Sequence, residues 1–395
     1  MNVLDVVLVI AALSFAISGY RQGFIVGVLS FAGFLGGGMV GLLLLPRVLE
    51  RFFEPGLPSS IAAILIVFAA ATIMQVFATY VGGQLKRYIT WHPARLVDAT
   101  AGGLAGAVSL LLVAWFIGTA VASASLPVVS RQVRESEVLT AISRVMPPGA
   151  DSWFASFSQL LDRNGFPQVF GPYSQERIVQ VPPPDERVLA TPAVRRAQYS
   201  IVKVLGTARE CSREIEGTGF VYAPRRVMTN AHVVAGVRNP VVLVRGERPA
   251  LRARVVLFDP RRDVAVLYVP ELRAPALRFD RTGGANDNAV VAGFPRNAPS
   301  LQASPARIRS VLNAQGRDIY EREVVVREVF SLFAVVQPGN SGGPLLDTDG
   351  EVYGVIFAKS LDDDQTGYAL TADEVARDAQ LGRTRTEPVY TGGCA

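Results

Sequence analysis

Histidine is almost missing from this chain: His92 and His232 are the only two in 395 residues. Any chemistry that needs an imidazole therefore has two addresses. Cysteine is as scarce, with Cys211 and Cys394 alone. Charge is thin as well. Only 18% of residues are charged, and the net charge of +5 comes with no dense block of Lys and Arg, so nucleic acid is not an expected partner. No cluster of metal ligands or cofactor motif is expected either.

Charge is thinnest in the first third, where the apolar residues concentrate. The whole chain is 50% hydrophobic with a mean hydropathy of +0.29, too apolar for an ordinary soluble enzyme. Apolar runs cover residues 2–20, 24–45, 61–81 and 99–122. Each is near the ~20 residues that a helix needs to cross a bilayer. The first has no basic leader and contains Asp5, which argues against a cleaved signal peptide. Gly33, Gly37 and Gly41, and again Gly102 and Gly106, recur every fourth residue and permit close helix packing in lipid. Arg21 follows the first run, and Lys86, Arg87 and Arg95 follow the third, against Arg47 and Arg51 after the second. The positive-inside rule then places the first and third loops in the cytoplasm, and the N-terminus and everything after the fourth run outside it. Tyr88 and Trp91 suit an interfacial aromatic belt.

Residues 126–195 read as an exposed linker, broken by Pro147-Pro148, Pro182-Pro183-Pro184 and Pro192. Apolar spacing within 136–145 and 152–161 predicts two short amphipathic helices. From about residue 198 the pattern changes to short β-rich runs, among them 201–204, 241–244, 264–269 and 290–291, separated by turn formers. That pattern predicts an all-β barrel or sandwich. The expected division is a four-helix transmembrane module over 1–125, the linker over 126–195 and a β domain over 196–395.

Within the β domain, Gln337-Pro338-Gly339-Asn340-Ser341-Gly342-Gly343-Pro344 makes a tight turn around a serine. Such a hydroxyl attacks only when a base takes its proton. The resulting oxyanion needs amides fixed beforehand, here those of Gly339 and Ser341. His232, in Thr229-Asn230-Ala231-His232-Val233-Val234, is the candidate base. Asp263, opening the apolar run of residues 264–267, is the candidate orienting acid. Asp259 is its rival and reads as a turn former, because Pro260 follows it.

The order His232, Asp263, Ser341 resembles that of the trypsin-like serine proteases, and the three motifs T-N-A-H-V-V, D-V-A-V-L and G-N-S-G-G-P-L are closest to the HtrA/Deg branch. Gly217-Thr218-Gly219-Phe220-Val221 and Gly367-Tyr368-Ala369-Leu370 resemble two further strands of that family. The resemblance covers about 198–375 and implies a chymotrypsin-like double β-barrel of two six-stranded barrels, with peptide-bond hydrolysis through an acyl-enzyme. It puts Val335, six residues before the serine, at the base of the S1 pocket, with Val355, Ile356, Phe357 and Ala358 as a wall, so an uncharged, apolar P1 side chain is expected. Asn340 stands where trypsin-like zymogens keep the Asp that pairs with a freed N-terminus, so activation by that route is not expected. About fifty residues follow Ser341, too few for a PDZ domain.

The membrane segment resembles the colicin V production protein family, through Leu4-Asp5, Ser18-Gly19 and Arg21-Gln22-Gly23-Phe24. Together the two parts resemble a group of actinobacterial membrane serine proteases of acid resistance. That resemblance implies a multi-pass inner-membrane protein with its protease domain in the periplasm, acting on a protein or peptide of the cell envelope and serving acid and oxidative stress resistance. For a domain outside the membrane, pairing of Cys211 with Cys394 is expected, and the resemblance implies the same bridge. Two other readings stay open: a catalytically idle peptide-binding sensor, and a channel or transporter regulated by the protease domain. Acid survival raises a difficulty, since an ordinary imidazole base is lost as pH falls through about 6.5.

Overall fold

The computed structural model describes residues 1–52, 57–88, 90–122, 127–147, 167, 169–170, 176–208, 213–296, 298 and 300–394, with side chains left out at 42–52, 57–64, 120 and 127–128. Contacts divide the chain into residues 1–118 with 135–145, and residues 119–134 with 146–395. This differs from the expected boundaries at 125 and 196: part of the expected linker packs in each unit.

The first unit holds helices α1 (Val3–Gln22), α2 (Phe24–Phe52), α3 (Leu57–Lys86) and most of α4 (His92–Ala122). Each of the four contains a stretch long and apolar enough to cross a bilayer. The glycine spacing works as close packing. A Cβ on Gly37 would lie 2.5 Å from the Ala70 carbonyl oxygen in α3, and one on Gly106 2.6 Å from that of Phe15 in α1. Asp5, the charge inside the first apolar run, is fully buried and caps two helices. Its carboxylate accepts the Asn2 amide at 2.8 Å while Asn2 Oδ1 accepts the Asp5 amide at 3.0 Å, a reciprocal capping box on α1. The same carboxylate accepts Ser136 Oγ at 2.6 Å and the Val138 amide at 3.1 Å, at the start of α6 (Glu137–Val145).

The second unit begins with α5 (Pro127–Arg134), whose Arg134 is buried and ion-paired with Asp362. Seven strands form one antiparallel sheet: β1 (Ile201–Ala208), β2 (Arg213–Ala223), β3 (Arg226–Thr229), β4 (Val241–Val244), β5 (Leu251–Arg252), β6 (Arg254–Asp259) and β7 (Val264–Tyr268), in the order β5-β4-β1-β2-β3-β7-β6. The two edge strands, β5 and β6, are separated in sequence only by Ala253, so the sheet curls until its edges meet without closing by hydrogen bonds. It stands where one of the two six-stranded barrels was expected, with seven strands in place of six. Six more strands do close a barrel: β8 (Asn288–Gly293), β9 (Gln302–Arg317), β10 (Val324–Phe333), β11 (Pro344–Leu346), β12 (Val352–Lys359) and β13 (Thr366–Thr371).

The described end of the expected linker is exposed in part but also packs on the domain. Thr191 caps α7 (Pro192–Ala197), and Val188, Val194 and Ala197 join the main core beside Ile201, Phe294 and Tyr368. Glu176 turns its carboxylate inward to accept Ser360 Oγ, the Leu361 amide at 3.1 Å and Tyr368 Oη at 3.0 Å. The expected helix at 152–161 and Cys211 lie outside the described residues. Helix α8 (Ala372–Gly382) follows the barrel and packs back on the first sheet, where Tyr222 Oη donates to the Ala379 carbonyl at 3.0 Å and Arg226 Nε to that of Gly382 at 2.9 Å.

Candidate active site

His232 stands on a tight turn after β3, closed by the Val234 amide donating to the Ala231 carbonyl at 3.0 Å. Ala231 and Ala235 of that turn pack on Ile319, which fixes the turn against the second half of the domain. Asp263 opens β7 in the left-handed region, φ 62°, where a non-glycine residue needs support. Asn230 supplies it: its Nδ2 donates to the Asp263 carbonyl at 2.7 Å. The Asp263 carboxylate is fully buried and both oxygens go to one residue. Oδ1 accepts the His232 amide at 2.9 Å, and Oδ2 meets Nδ1 at 2.8 Å. With the carboxylate at Nδ1, the proton sits there and Nε2 keeps its lone pair. His92, the other histidine, is an exposed residue at the start of α4. Asp259 is the turn former, its Oδ1 accepting the Arg261 and Arg262 amides at 2.9 and 3.1 Å.

A buried cation stands behind this pair. Arg327 Nε donates to the Arg261 carbonyl at 2.7 Å and Nη2 to that of Arg317 at 2.8 Å, holding the turn that leads into Asp263. Burial pushes the guanidinium down from its ordinary value, and among the charges that hold it up Asp263 is foremost.

Ser341 is brought in from the barrel side by Thr218 of β2. The Thr218 amide donates to the Ser341 carbonyl at 2.9 Å, its Oγ1 donates to the Gly339 carbonyl at 2.6 Å, and the same Oγ1 accepts the Phe294 amide at 2.9 Å. The turn itself requires glycine. At Gly339, φ is 101° and a Cβ would lie 2.2 Å from the Phe294 carbonyl oxygen; at Gly342, φ is 82° and a Cβ would lie 2.2 Å from that of Thr218. Within the turn the amides of Asn340, Gly342 and Gly343 donate to Gln337, Ile356 and Asn340 carbonyls. Those of Gly339 and Ser341 have no acceptor among the described residues. The Pro338 carbonyl accepts the Arg296 amide at 2.6 Å, so the N–H of the same trans peptide, that of Gly339, points the opposite way.

The expected pocket residues are not brought together. Side chains alternate across a strand. Ile356 accordingly packs inside the barrel with Phe330 and Leu332 while Phe357 joins the main core, and a register shift between Ile356 and Ala358 turns Ala358 to that core as well. Val335 is 49% exposed and closes nothing. Its neighbour Val336 is buried and faces β13, where a Cβ on Gly367 would lie 2.3 Å from Val336 Cγ2. Thr218, Asn230 and Arg327 were not singled out from sequence. Asn230 and Thr218 stand inside quoted motifs, but their bonds join positions over 30 and 120 residues apart.

Comparison with known proteins is consistent with this geometry. The family description "Trypsin-like peptidase domain" matches residues 217–355, and "Colicin V production protein" matches residues 4–147. The serine protease Rv3671c of Mycobacterium tuberculosis (strain ATCC 25618 / H37Rv) is 37% identical over 398 residues, 99% of this chain and 98% of its own length. The chain belongs to the Rv3671c family of serine proteases. The crystal structure of the active form of that protease is 42% identical, covers 57% of this chain and 99% of its own, and superposes with a TM-score of 0.54. The HtrA-type protease AlgW with a tripeptide is 25% identical, with a TM-score of 0.42 over 48% of this chain and 61% of its own. In this serine protease the trypsin-like fold therefore follows a helical segment with four apolar helices.

Proposed function

We propose that the chain is a membrane-tethered, extracytoplasmic serine endopeptidase that works through Ser341, His232 and Asp263. Ser341 Oγ attacks the peptide carbonyl as His232 Nε2 takes its proton; the C–O bond forms and the carbonyl oxygen becomes an oxyanion. The Gly339 and Ser341 amides hold that charge. The tetrahedral intermediate collapses, the C–N bond breaks, and His232 returns the proton to the leaving amine. Water then repeats the sequence on the acyl-enzyme. Asp263 orients the ring and stabilises its cation. The observation that carries this reading is the double engagement of His232 by a fully buried carboxylate, which leaves Nε2 as the acceptor.

Substrates are proteins or peptides of the cell envelope, with an apolar P1 side chain. Ala334, Val336 and Gly367 supply no charge to select Lys or Arg, and Val336 with Gly367 replaces the expected Val335 as the contact there. The domain lies on the periplasmic side, in keeping with the loop charges, and Cys394, which abuts Gly236, is bridged to Cys211. Acid and oxidative stress resistance is the role that fits a redox-bridged protease outside the membrane.

The full chain, treated with a fluorophosphonate probe beside Ser341→Ala, tests this. Labelling of wild type alone is expected. An unlabelled, folded wild type would point instead to an idle peptide-binding domain. Competition by peptides that vary at P1 reads the pocket, and a preference for Lys or Arg there would reject the apolar assignment.

A further inference from the structure

The contact of Val336 with Gly367, proposed above as the P1 site, is framed by the loop of residues 360–365 between β12 and β13. Thr366, just before Gly367, donates its Oγ1 to Asp363 Oδ2 at 2.7 Å. Tyr368, just after it, donates its Oη to Glu176 Oε2 at 3.0 Å. Past the end of β10, the Ala334 amide donates to the Gln365 carbonyl at 2.9 Å, two residues before Val336. Both sides of the contact are thus tied to the loop or to what holds it. Ser360 closes the loop on itself, its Oγ accepting the Asp362 and Asp363 amides at 3.0 and 2.9 Å.

Chain that precedes both sheets clasps this loop from outside, at two points. Glu176 accepts Ser360 Oγ and, at 3.1 Å, the Leu361 amide. From α5, Arg134 pairs with the Asp362 carboxylate, and Arg131 Nη2 donates to the Asp362 carbonyl at 3.2 Å. Arg134 is itself anchored, Nη1 donating to the Ala122 carbonyl at the end of α4 at 2.5 Å. The Arg134 side chain is 4% exposed and that of Asp362 17%, so removing one partner strands a shielded charge. Arg309 of β9 ties the two regions together, with Nη1 donating to the Val179 carbonyl at 2.8 Å and Nη2 lying 3.6 Å from Asp363 Oδ2. The Ser360 and Asp363 bonds suffice to close a connection between β12 and β13. The clasp adds something else: it makes the loop, and the contact that the loop frames, depend on residues 184 and 228 positions away.

We propose that Arg134 and Glu176 are positioning residues for substrate specificity, which set the P1 contact of Val336 and Gly367 by clasping the 360–365 loop. The inference rests on the reading of that contact as the P1 site. Neither residue touches the substrate; each acts through the loop. The nucleophile and base are held by other bonds, from Thr218 and Asp263, so the clasp bears on binding of the P1 side chain rather than on the chemical step. An apolar pocket discriminates by about tenfold or more per methylene only while its walls keep their spacing.

The test uses the full chain in a mild detergent and two fluorogenic peptides that differ only in Leu or Gly at P1. Wild type is expected to favour Leu. Arg134→Gln, and separately Glu176→Ala, is expected to raise KM for the Leu peptide roughly tenfold with kcat little changed. The Gly peptide and fluorophosphonate labelling are expected to stay as in wild type. Asp362→Asn is expected to lose the Leu preference as Arg134→Gln does. Arg134→Glu joined to Asp362→Arg is expected to regain part of it, which a merely weakened fold would not do. Leu preference kept in Arg134→Gln and Asp362→Asn would overturn the clasp. Equal losses for the two peptides, or a fall in kcat at constant KM, would show damage to the whole domain and overturn the specificity role. The premise fails separately: a wild type that is labelled but treats Leu and Gly alike defeats the P1 reading itself, whereas a Leu-preferring wild type with indifferent variants defeats only the clasp.

Discussion

Asp263 commits both of its oxygens to one histidine, and this makes the chemistry at that residue unusually easy to probe. Replacing it by Asn keeps an oxygen for the His232 amide but sets an NH₂ against Nδ1, which moves the ring proton to Nε2. The base is then on the wrong nitrogen while the fold is held. Asp263→Asn is expected to lower kcat by about 10⁴ with little change in the thermal midpoint; a loss under tenfold would show that the ring is oriented by something else. At this scale the sequence was most readable where chemistry is local in a motif. Ser341, His232 and Asp263 stand in short segments whose residue types have few other uses together, and Pro260 was enough to separate Asp259 from Asp263. The pocket was less readable, because one residue of register decides whether Val335 or Val336 faces inward, and nothing in Ala334-Val335-Val336 marks it.

The joint between β2 and the serine turn is the element on which the site depends. Thr218 Oγ1 bridges a carbonyl of the nucleophile turn and the amide that follows β8, inside a buried region. Thr218→Val keeps the shape and removes both bonds, leaving the Gly339 carbonyl and the Phe294 amide unpartnered at about 1–3 kcal/mol each. A fall in the urea midpoint is expected, together with slower fluorophosphonate labelling as the Gly339 amide drifts; an unchanged midpoint would mean that water or a shifted backbone replaces the hydroxyl. Strand runs such as 201–204 and 264–269 were legible from their apolar pattern, as were the four long helices. The docking of 176–197 was not. Val188, Val194 and Ala197 are scattered among prolines and charges, and their burial exists only once the barrel offers a surface.

Across the protease domain, three carboxylates share one bias. Burial pushes Glu176 and Asp347 up from the usual carboxylate range, and pushes Asp378 up to about 6 with Asp259 adding to it. Each binds its proton more tightly folded than unfolded, so each contributes stability that is complete below the ordinary value near 4 and is lost as pH rises through the folded one. Asp185 goes the other way, held down to about 2 by its hydrogen bonds from Arg187, and its contribution is lost only as pH falls from about 4 towards 2. Between about 4 and 6 the raised groups decide the sign. The thermal midpoint of the protein, followed by near-ultraviolet circular dichroism, is expected to be higher at pH 5 than at pH 8, and Asp378→Asn is expected to shrink the difference. A midpoint higher at pH 8 would refute this bias. The fold is thus strongest where an ordinary imidazole base is weakest.

Helix α8 carries a consequence for how the enzyme comes into being. The donors Tyr222 Oη and Arg226 Nε find their acceptors 157 and 156 residues later in the chain. A ribosome has therefore long since released β2 and β3 before the carbonyls that complete them exist. His232 and Asp263 emerge early, before those acceptors exist, and Ser341 arrives with the later half of the domain. Under the proposed mechanism, synthesis itself therefore holds the nucleophile and its base apart.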